Sequence, residues 1–321
     1  MQDVAFWKGK RVLVTGGAGF IGSYVVDNLI NIRRVPRENI VVPRSKSCDL
    51  RDFVNCRSVM DGCDVVIHLA AVTGGIGFTR THSASQYHDS SVIDLNIVEA
   101  ARQERVEKVV AIANLFAYPK NVPSPLREAN LFDGLPAESH LGLGYFKRTL
   151  ALLAELYHRE YGLPMVVVYS ANAYGPGDST DREHCHVVPA TIMKCLYDDK
   201  VVVWGDGSPT RDFLYAGDIA EGLVLAAEKL RGPEYLNLGS GTEVSIKQLV
   251  DLIARLTEFK GVIEYDLSKP SGDPGRFACT DRASERLGFK PSTSLKAGMR
   301  NTVDWYMSLQ ASRVLNCVNS E

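Results

Sequence analysis

The run Val12-Leu-Val-Thr-Gly16-Gly-Ala-Gly19-Phe-Ile-Gly22 decides how the rest of this chain is read. An apolar strand over residues 11–14 leads into three glycines spaced three residues apart, and a helix is expected from about residue 20 to 32. In that setting each glycine has its own task. Gly16 permits the tight turn, Gly19 lets backbone approach a diphosphate, and Gly22 allows the helix to pack closely on the strand. The first helical turn, from Phe20 and Ile21 onward, offers free N–H groups and the positive end of the helix dipole to an anion. A glycine pattern alone is weak, but one placed between a strand and a helix predicts a dinucleotide site.

Outward from this run, short apolar stretches alternate with longer amphipathic ones. Residues 40–42, 65–69, 108–113 and 165–170 read as strands, and 85–102 and 144–161 as helices. Continuous Val/Ile/Leu strands separated by helices predict an α/β fold, a Rossmann-type doubly wound parallel sheet. After Asn172 the turn chemistry of Tyr174-Gly-Pro-Gly-Asp178 opens a mixed region, with helices expected at 245–257 and 295–309. The expected division is an NADP-binding domain over 1–173 plus about 211–232. A smaller C-terminal substrate-binding domain takes 174–210 and 233–321.

Composition removes several classes of function. The 321 residues carry 36 Lys plus Arg against 38 Asp plus Glu, a net charge of -2. No basic excess draws the chain to nucleic acid or to an anionic membrane, so neither is expected as a partner. No apolar run approaches the ~20 residues of a membrane helix. The first residues lack the cationic start and apolar run of a secretory signal, so a soluble, cytoplasmic protein is expected. Seven cysteines with no C-x-x-C pair read as free thiols in a reducing compartment. No metal site is expected, since the run His184-Cys185-His186 has no third ligand at matching spacing.

The second strand ends at Val42-Pro-Arg44-Ser-Lys46 and not at an acid. A carboxylate there would bind the ribose 2′-hydroxyl of NAD, whereas an Arg accommodates the 2′-phosphate of NADP. Arg44, with Lys46 beside it, favours NADP, with NAD the alternative. Asp49 and Leu50 are expected along the adenine, and Leu69, Ala70 and Ala71 along the path from the diphosphate to the nicotinamide.

With these pieces the chain resembles the extended short-chain dehydrogenase/reductases (the NAD-dependent epimerase/dehydratase family) that modify nucleotide sugars, and within them the GDP-L-fucose synthase branch. The resemblance runs from about Lys10 to Trp305. It is carried by Thr15-Gly-Gly-Ala-Gly-Phe-Ile-Gly22, His68-Leu-Ala-Ala71 with Gly74-Gly-Ile-Gly77, Ala117-Tyr-Pro-Lys120 and Asn172-Ala-Tyr-Gly-Pro176. It continues in His186-Val-Val-Pro-Ala190 and the run from Val203-Trp-Gly to Thr-Arg211-Asp-Phe213. The resemblance implies a nucleotide-sugar substrate, GDP-linked, and a homodimer formed through the helix that includes Lys147. Arg211 stands at the family's diphosphate-binding Arg, a residue suited to bidentate phosphate contacts. Lys194 and Arg276 match two further cations, Asn172 falls in a shared motif, and Trp204 can pack on the base or sugar. The plainer alternatives are a core Trp204 and an Arg211 paired with Asp212.

The same resemblance exposes departures at the reacting centre. Family members pair a Tyr acid–base with a Lys four residues later on one helix face, and a Ser or Thr holds the substrate oxygen. Lys147 is in place, but four residues before it stands Leu143, which cannot give or take a proton. Tyr145 lies two residues from Lys147, ~200° around the helix, and faces away. The family's hydroxyl residue is Asn114, which still donates a hydrogen bond. Its epimerisation Cys is Phe116, and its Asn and following Gly-Thr on the next helix are Ser90 and Asp94-Leu95. His186 matches the second epimerisation group, and Cys185 beside it could act as a thiolate base if its pKa were depressed.

Two classes of function follow. The first is an enzyme: a nucleotide-sugar epimerase, isomerase or atypical oxidoreductase on a 4-keto or deoxy sugar, using Lys147, His186, Asn114 and Cys185. Loss of the Tyr argues against efficient ketone reduction. The alternative is a catalytically inactive pseudoenzyme that binds NADP or a sugar nucleotide, or a partner subunit.

Overall fold

The computed structural model describes residues 4–182, 185–269 and 275–318. Strands β1 (Val12–Thr15), β2 (Ile40–Val41), β3 (Val65–His68), β4 (Lys108–Asn114) and β5 (Met165–Ser170) lie in the first half. The short strands β6 (Asn172–Tyr174), β7 (Lys200–Trp204), β8 (Thr210–Arg211) and β9 (Phe213–Tyr215) follow, and then β10 (Glu234–Leu238). One six-stranded sheet is built in the order β10-β5-β4-β3-β1-β2, and every pairing in it is parallel. Strands β1, β3 and β5 are buried at every position, which is why they read as unbroken apolar runs rather than alternating ones.

Helices α1 (Phe20–Asp27), α2 (Phe53–Met60), α3 (Ile76–Thr81), α4 (Ser83–Gln103), α5 (Leu141–Tyr161), α6 (Val187–Tyr197) and α7 (Ala216–Lys229) connect the strands. α1 packs on α7, and α4 packs between α2 and α5, giving the sheet a helical layer on each face. The helix expected over 20–32 is α only to Asp27, and its last turn, Asn28–Ile32, is a π-helix. Arg33, fully buried, closes that turn onto α7: its Nε donates to Glu228 at 2.8 Å and its Nη2 to Glu221 at 2.9 Å.

The remaining elements are β11 (Val244–Ser245), α8 (Ile246–Leu256), β12 (Val262–Asp266), α9 (Asp281–Leu287) and α10 (Leu295–Val318). Ser245 and Gln248 cap α8 reciprocally, at 3.0 and 2.9 Å, which stops and starts the chain at the predicted boundary. A second apolar core joins α6, α8 and α10 through Ile192, Leu249, Ile253, Met299 and Val303, with β7 paired to β12.

The domain division expected over 233–321 needs correction. β10 completes the large sheet beside β5, and Ala278, Ala283, Leu287 and Phe289 pack into the first core. The physical reason is local composition. Glu234-Tyr-Leu-Asn-Leu238 is an edge strand with few apolar residues, so its sequence does not show the continuous run that marks its neighbours.

Candidate active site

The glycine turn performs as its spacing predicts. Gly16 has φ +69°, and a Cβ on it would lie 2.9 Å from Ala70 N. A Cβ on Gly22 would come 2.1 Å from the Gly16 carbonyl oxygen, so only glycine lets α1 begin this close to β1. Gly19 is the N-cap of α1 with no side-chain cap, and the first turn carries no acidic residue. Its N–H groups are therefore left for an anion.

At the adenine end, Arg44 and Lys46 are exposed after β2, where the Arg44 carbonyl accepts from the Ser47 and Cys48 amides at 3.0 and 2.8 Å. Both cations stand free for a phosphate, and no carboxylate occupies the end of β2. Asp49, expected along the adenine, is exposed and ion-paired. Arg51 grips it at 2.7 Å, holds it below the usual carboxylate range, and reaches on to Asp89 of α4 at 2.9 Å. Leu50 is buried in the core rather than lining an open surface, and its carbonyl accepts from Asn96. Leu69, Ala70 and Ala71 leave β3 partly exposed, across from the glycine turn.

At the other end of the same cleft edge stands Lys147. Its side chain is buried, Nζ donates to the Ile112 carbonyl at 3.1 Å, and burial pushes the ammonium below its ordinary pKa while Asp94 works against that. Leu143, one turn earlier, is buried as well, and Tyr145 is exposed on the far side of α5 against Arg148. Leu143 and Lys147 thus lie on the buried face of α5 and Tyr145 on the exposed one. Asn114 ends β4, where its Oδ1 accepts from Phe116 N–H at 3.2 Å, which leaves its Nδ2 as the outward donor. Phe116 packs against His140 with ring centroids 4.4 Å apart.

The cations of the substrate side divide into two groups. Arg276 is buried and its Nη2 donates to the carbonyls of Tyr118 and Pro119, both at 3.0 Å, so it holds the turn that follows Asn114. Arg211 forms an isolated parallel bridge with Arg276, and Asn172 Nδ2 donates to the Asp212 carbonyl at 2.9 Å. The Asp212 carboxylate accepts from Ser240 and from the Ala278 amide. Arg211, Arg276 and Asn172 are thus brought to the Tyr118 turn. Lys194 sits on α6 with Nζ on the Val202 carbonyl at 3.1 Å, a structural contact the sequence did not foretell. Trp204 is 56% exposed at the end of β7, with Lys269 Nζ 5.9 Å from its ring, so it is not a core residue.

His186 caps α6 and is exposed, while His184 lies outside the described residues. Asp178, absent from the sequence reading, is buried nearby. Burial pushes its carboxyl up, and the Ser179 amide, donating at 2.7 Å, and then His186 pull it partly back. Burial also pushes the Cys185 thiol up, which corrects its expected use as a thiolate base near neutral pH. Ser90 and Gln86 were also missed as organisers: both bond to Val72, the residue after Ala71, at 3.2 Å.

Gly16→Ala forces a Cβ into a left-handed turn at a strain of roughly 1–2 kcal/mol, besides the approach to Ala70. The expected result is that NADPH raises the melting temperature of the wild type and not of the variant. Equal stabilisation of both would remove the glycine turn from the site.

Comparison with known proteins agrees with this geometry. The family model described as the NAD dependent epimerase/dehydratase family matches residues 12–239. A GDP-L-fucose synthase from Sinorhizobium fredii is 32% identical over 308 residues, covering 94% of this chain and 96% of its own. The Escherichia coli GDP-L-fucose synthase is 28% identical, covering 94% and 98%. The crystal structure of a GDP-L-fucose synthetase from Naegleria fowleri bound to NADP superposes with a TM-score of 0.85 at 26% identity, covering 94% and 93%. The chain belongs to the NAD dependent epimerase/dehydratase family.

Proposed function

We propose that this protein is a nucleotide-sugar modifying enzyme that holds NADP and a GDP-linked sugar. We further propose that it epimerises or isomerises a 4-keto or deoxy sugar with altered acid–base residues. The observation that carries this is the intact dinucleotide cradle running to a buried Lys147, with Leu143 where a proton donor would stand. The relatives named above, GDP-L-fucose synthases covered almost end to end, support the substrate class.

The amides of Phe20 and Ile21 would take the diphosphate, Arg44 with Lys46 the 2′-phosphate, and Lys147 the nicotinamide end. When bound, the nicotinamide supplies hydride donation and acceptance. Asn114 Nδ2 donates to the sugar carbonyl oxygen and so favours the enolate formed when a neighbouring carbon loses its proton. His186 takes that proton and returns it or passes it to the opposite face. Arg211 binds the diphosphate of the sugar nucleotide. Reduction of a ketone is slow here, because the developing alkoxide finds Leu143 and not a hydroxyl.

The experiment is GDP-4-keto-6-deoxy-mannose with NADPH in heavy water, followed by mass spectrometry. Deuterium uptake without NADPH consumption is expected, and its loss in His186→Ala by about a hundredfold or more. Rapid NADPH consumption would contradict the reading of Leu143. No exchange, together with tight retention of the nucleotide, would favour the binding-protein alternative.

We also propose a homodimer through α5. Leu141, Tyr145, Leu152 and Leu156 are exposed along it, beside exposed Tyr87 and Leu95 on α4, a patch of the kind that marks a partner surface. Leu152→Glu is expected to give monomers by light scattering where the wild type is dimeric, and a monomeric wild type would overturn the assignment.

A further inference from the structure

Between the glycine turn and Lys147 lies a buried polar chain with no part in the chemistry above. His68 closes β3, and its Nδ1 lies 2.6 Å from Thr15 Oγ1 at the end of β1. Its Nε2 lies 2.9 Å from Asp94 Oδ1 on α4. None of the three residues is more than 2% exposed. The Thr15 hydroxyl oxygen also accepts from the N–H groups of Leu69 and Ala70, both at 3.2 Å.

Counting settles the direction of these bonds. A hydroxyl has two lone pairs and one proton. With its lone pairs facing the Ala70 N–H and the Leu69 N–H, which is shared with the Thr15 carbonyl at 3.1 Å, the hydroxyl has its proton left for His68 Nδ1. That leaves Nδ1 bare, puts the ring hydrogen on Nε2, and makes Nε2–H the donor to Asp94. The order hydroxyl–imidazole–carboxylate is that of a nucleophilic triad, but this hydroxyl is fully buried with both lone pairs engaged, so it attacks nothing. What it does is hold backbone. Leu69–Ala70 is the segment that Gly16 abuts, and Thr15 ties that segment to the residue just before the turn.

Asp94 has a second side. Its Oδ2 is buried and has no hydrogen-bond partner among the described residues.

We propose that Asp94 is a positioning residue for the dinucleotide site, acting through His68 and Thr15 on the Leu69–Ala70 backbone. This rests on the dinucleotide reading under Proposed function and deepens it.

The test combines nitrogen NMR of the histidine rings, made without cofactor, with NADPH titration followed by nicotinamide fluorescence. Both use the full chain and the variants Asp94→Asn, Asp94→Leu, Thr15→Val and Thr15→Val/Asp94→Leu. Wild-type His68 is expected with its hydrogen on Nε2. Each apolar single variant is expected to weaken NADPH about fivefold or more, and the double variant no further than the worse single, because one chain is cut at either point. Asp94→Asn keeps an acceptor oxygen and a similar volume. It is expected to fold, to keep the His68 tautomer and to bind NADPH within about twofold of the wild type, because the chain stays connected. A hydrogen on Nδ1 or an imidazolium in the wild type overturns the proposal, as do additive losses or unchanged affinity in Asp94→Leu. A wild type that binds no NADPH would remove the dinucleotide reading itself, while the ring measurement would still decide the hydrogen-bond chain.

Discussion

The carbonyl oxygen of Gly16 occupies the space into which any side chain on Gly22 would project, 2.1 Å from an ideal Cβ. That near-contact lets α1 begin directly over the end of β1 and aims its uncapped N–H groups at one point in front of the sheet. The other side of the point is set by Ala70, against which Gly16 turns with positive φ. Strand β3 must therefore end in register with β1, and the pairing Thr15 to His68 puts it there. The helix start, the strand register and the anion site are one constraint, and the parallel sheet extends from it in both directions.

At the far edge of this cradle Lys147 is buried and bonded to the Ile112 carbonyl, and Leu143, one turn earlier, is buried and apolar. Asn114 keeps a donor but spends its oxygen on the Phe116 amide. Arg276 braces the Tyr118–Pro119 turn from beneath, which couples the substrate-side strands to the end of β4.

How much of this was legible in the sequence depends on whether the signal is local. The glycine turn and the buried strands β1, β3 and β5 announce themselves within a few residues, through spacing and through unbroken apolar runs. β10 does not, because an edge strand with Glu234, Tyr235 and Asn237 carries no such run; Asn237 is buried only because Tyr118 and Leu126 bond to it. The faces of α5 were legible from helical geometry alone, so Leu143 and Tyr145 fall where the register puts them. Asp49 was read as a cofactor contact because nothing in the order of residues shows that Arg51 folds back onto it. The Thr15–His68–Asp94 chain joins three elements far apart in sequence, and only the fold brings them together. The carbonyl partner of Lys194 and the burial of Cys185 are likewise not written in any motif.

The measurement that tests the central claim most directly is the rate of NADPH oxidation with GDP-4-keto-6-deoxy-mannose in the wild type and in Leu143→Tyr. The account predicts slow oxidation in the wild type and a rise of about a hundredfold or more when a hydroxyl is returned to the face that holds Lys147. Fast oxidation in the wild type, unchanged by Leu143→Tyr, would contradict it.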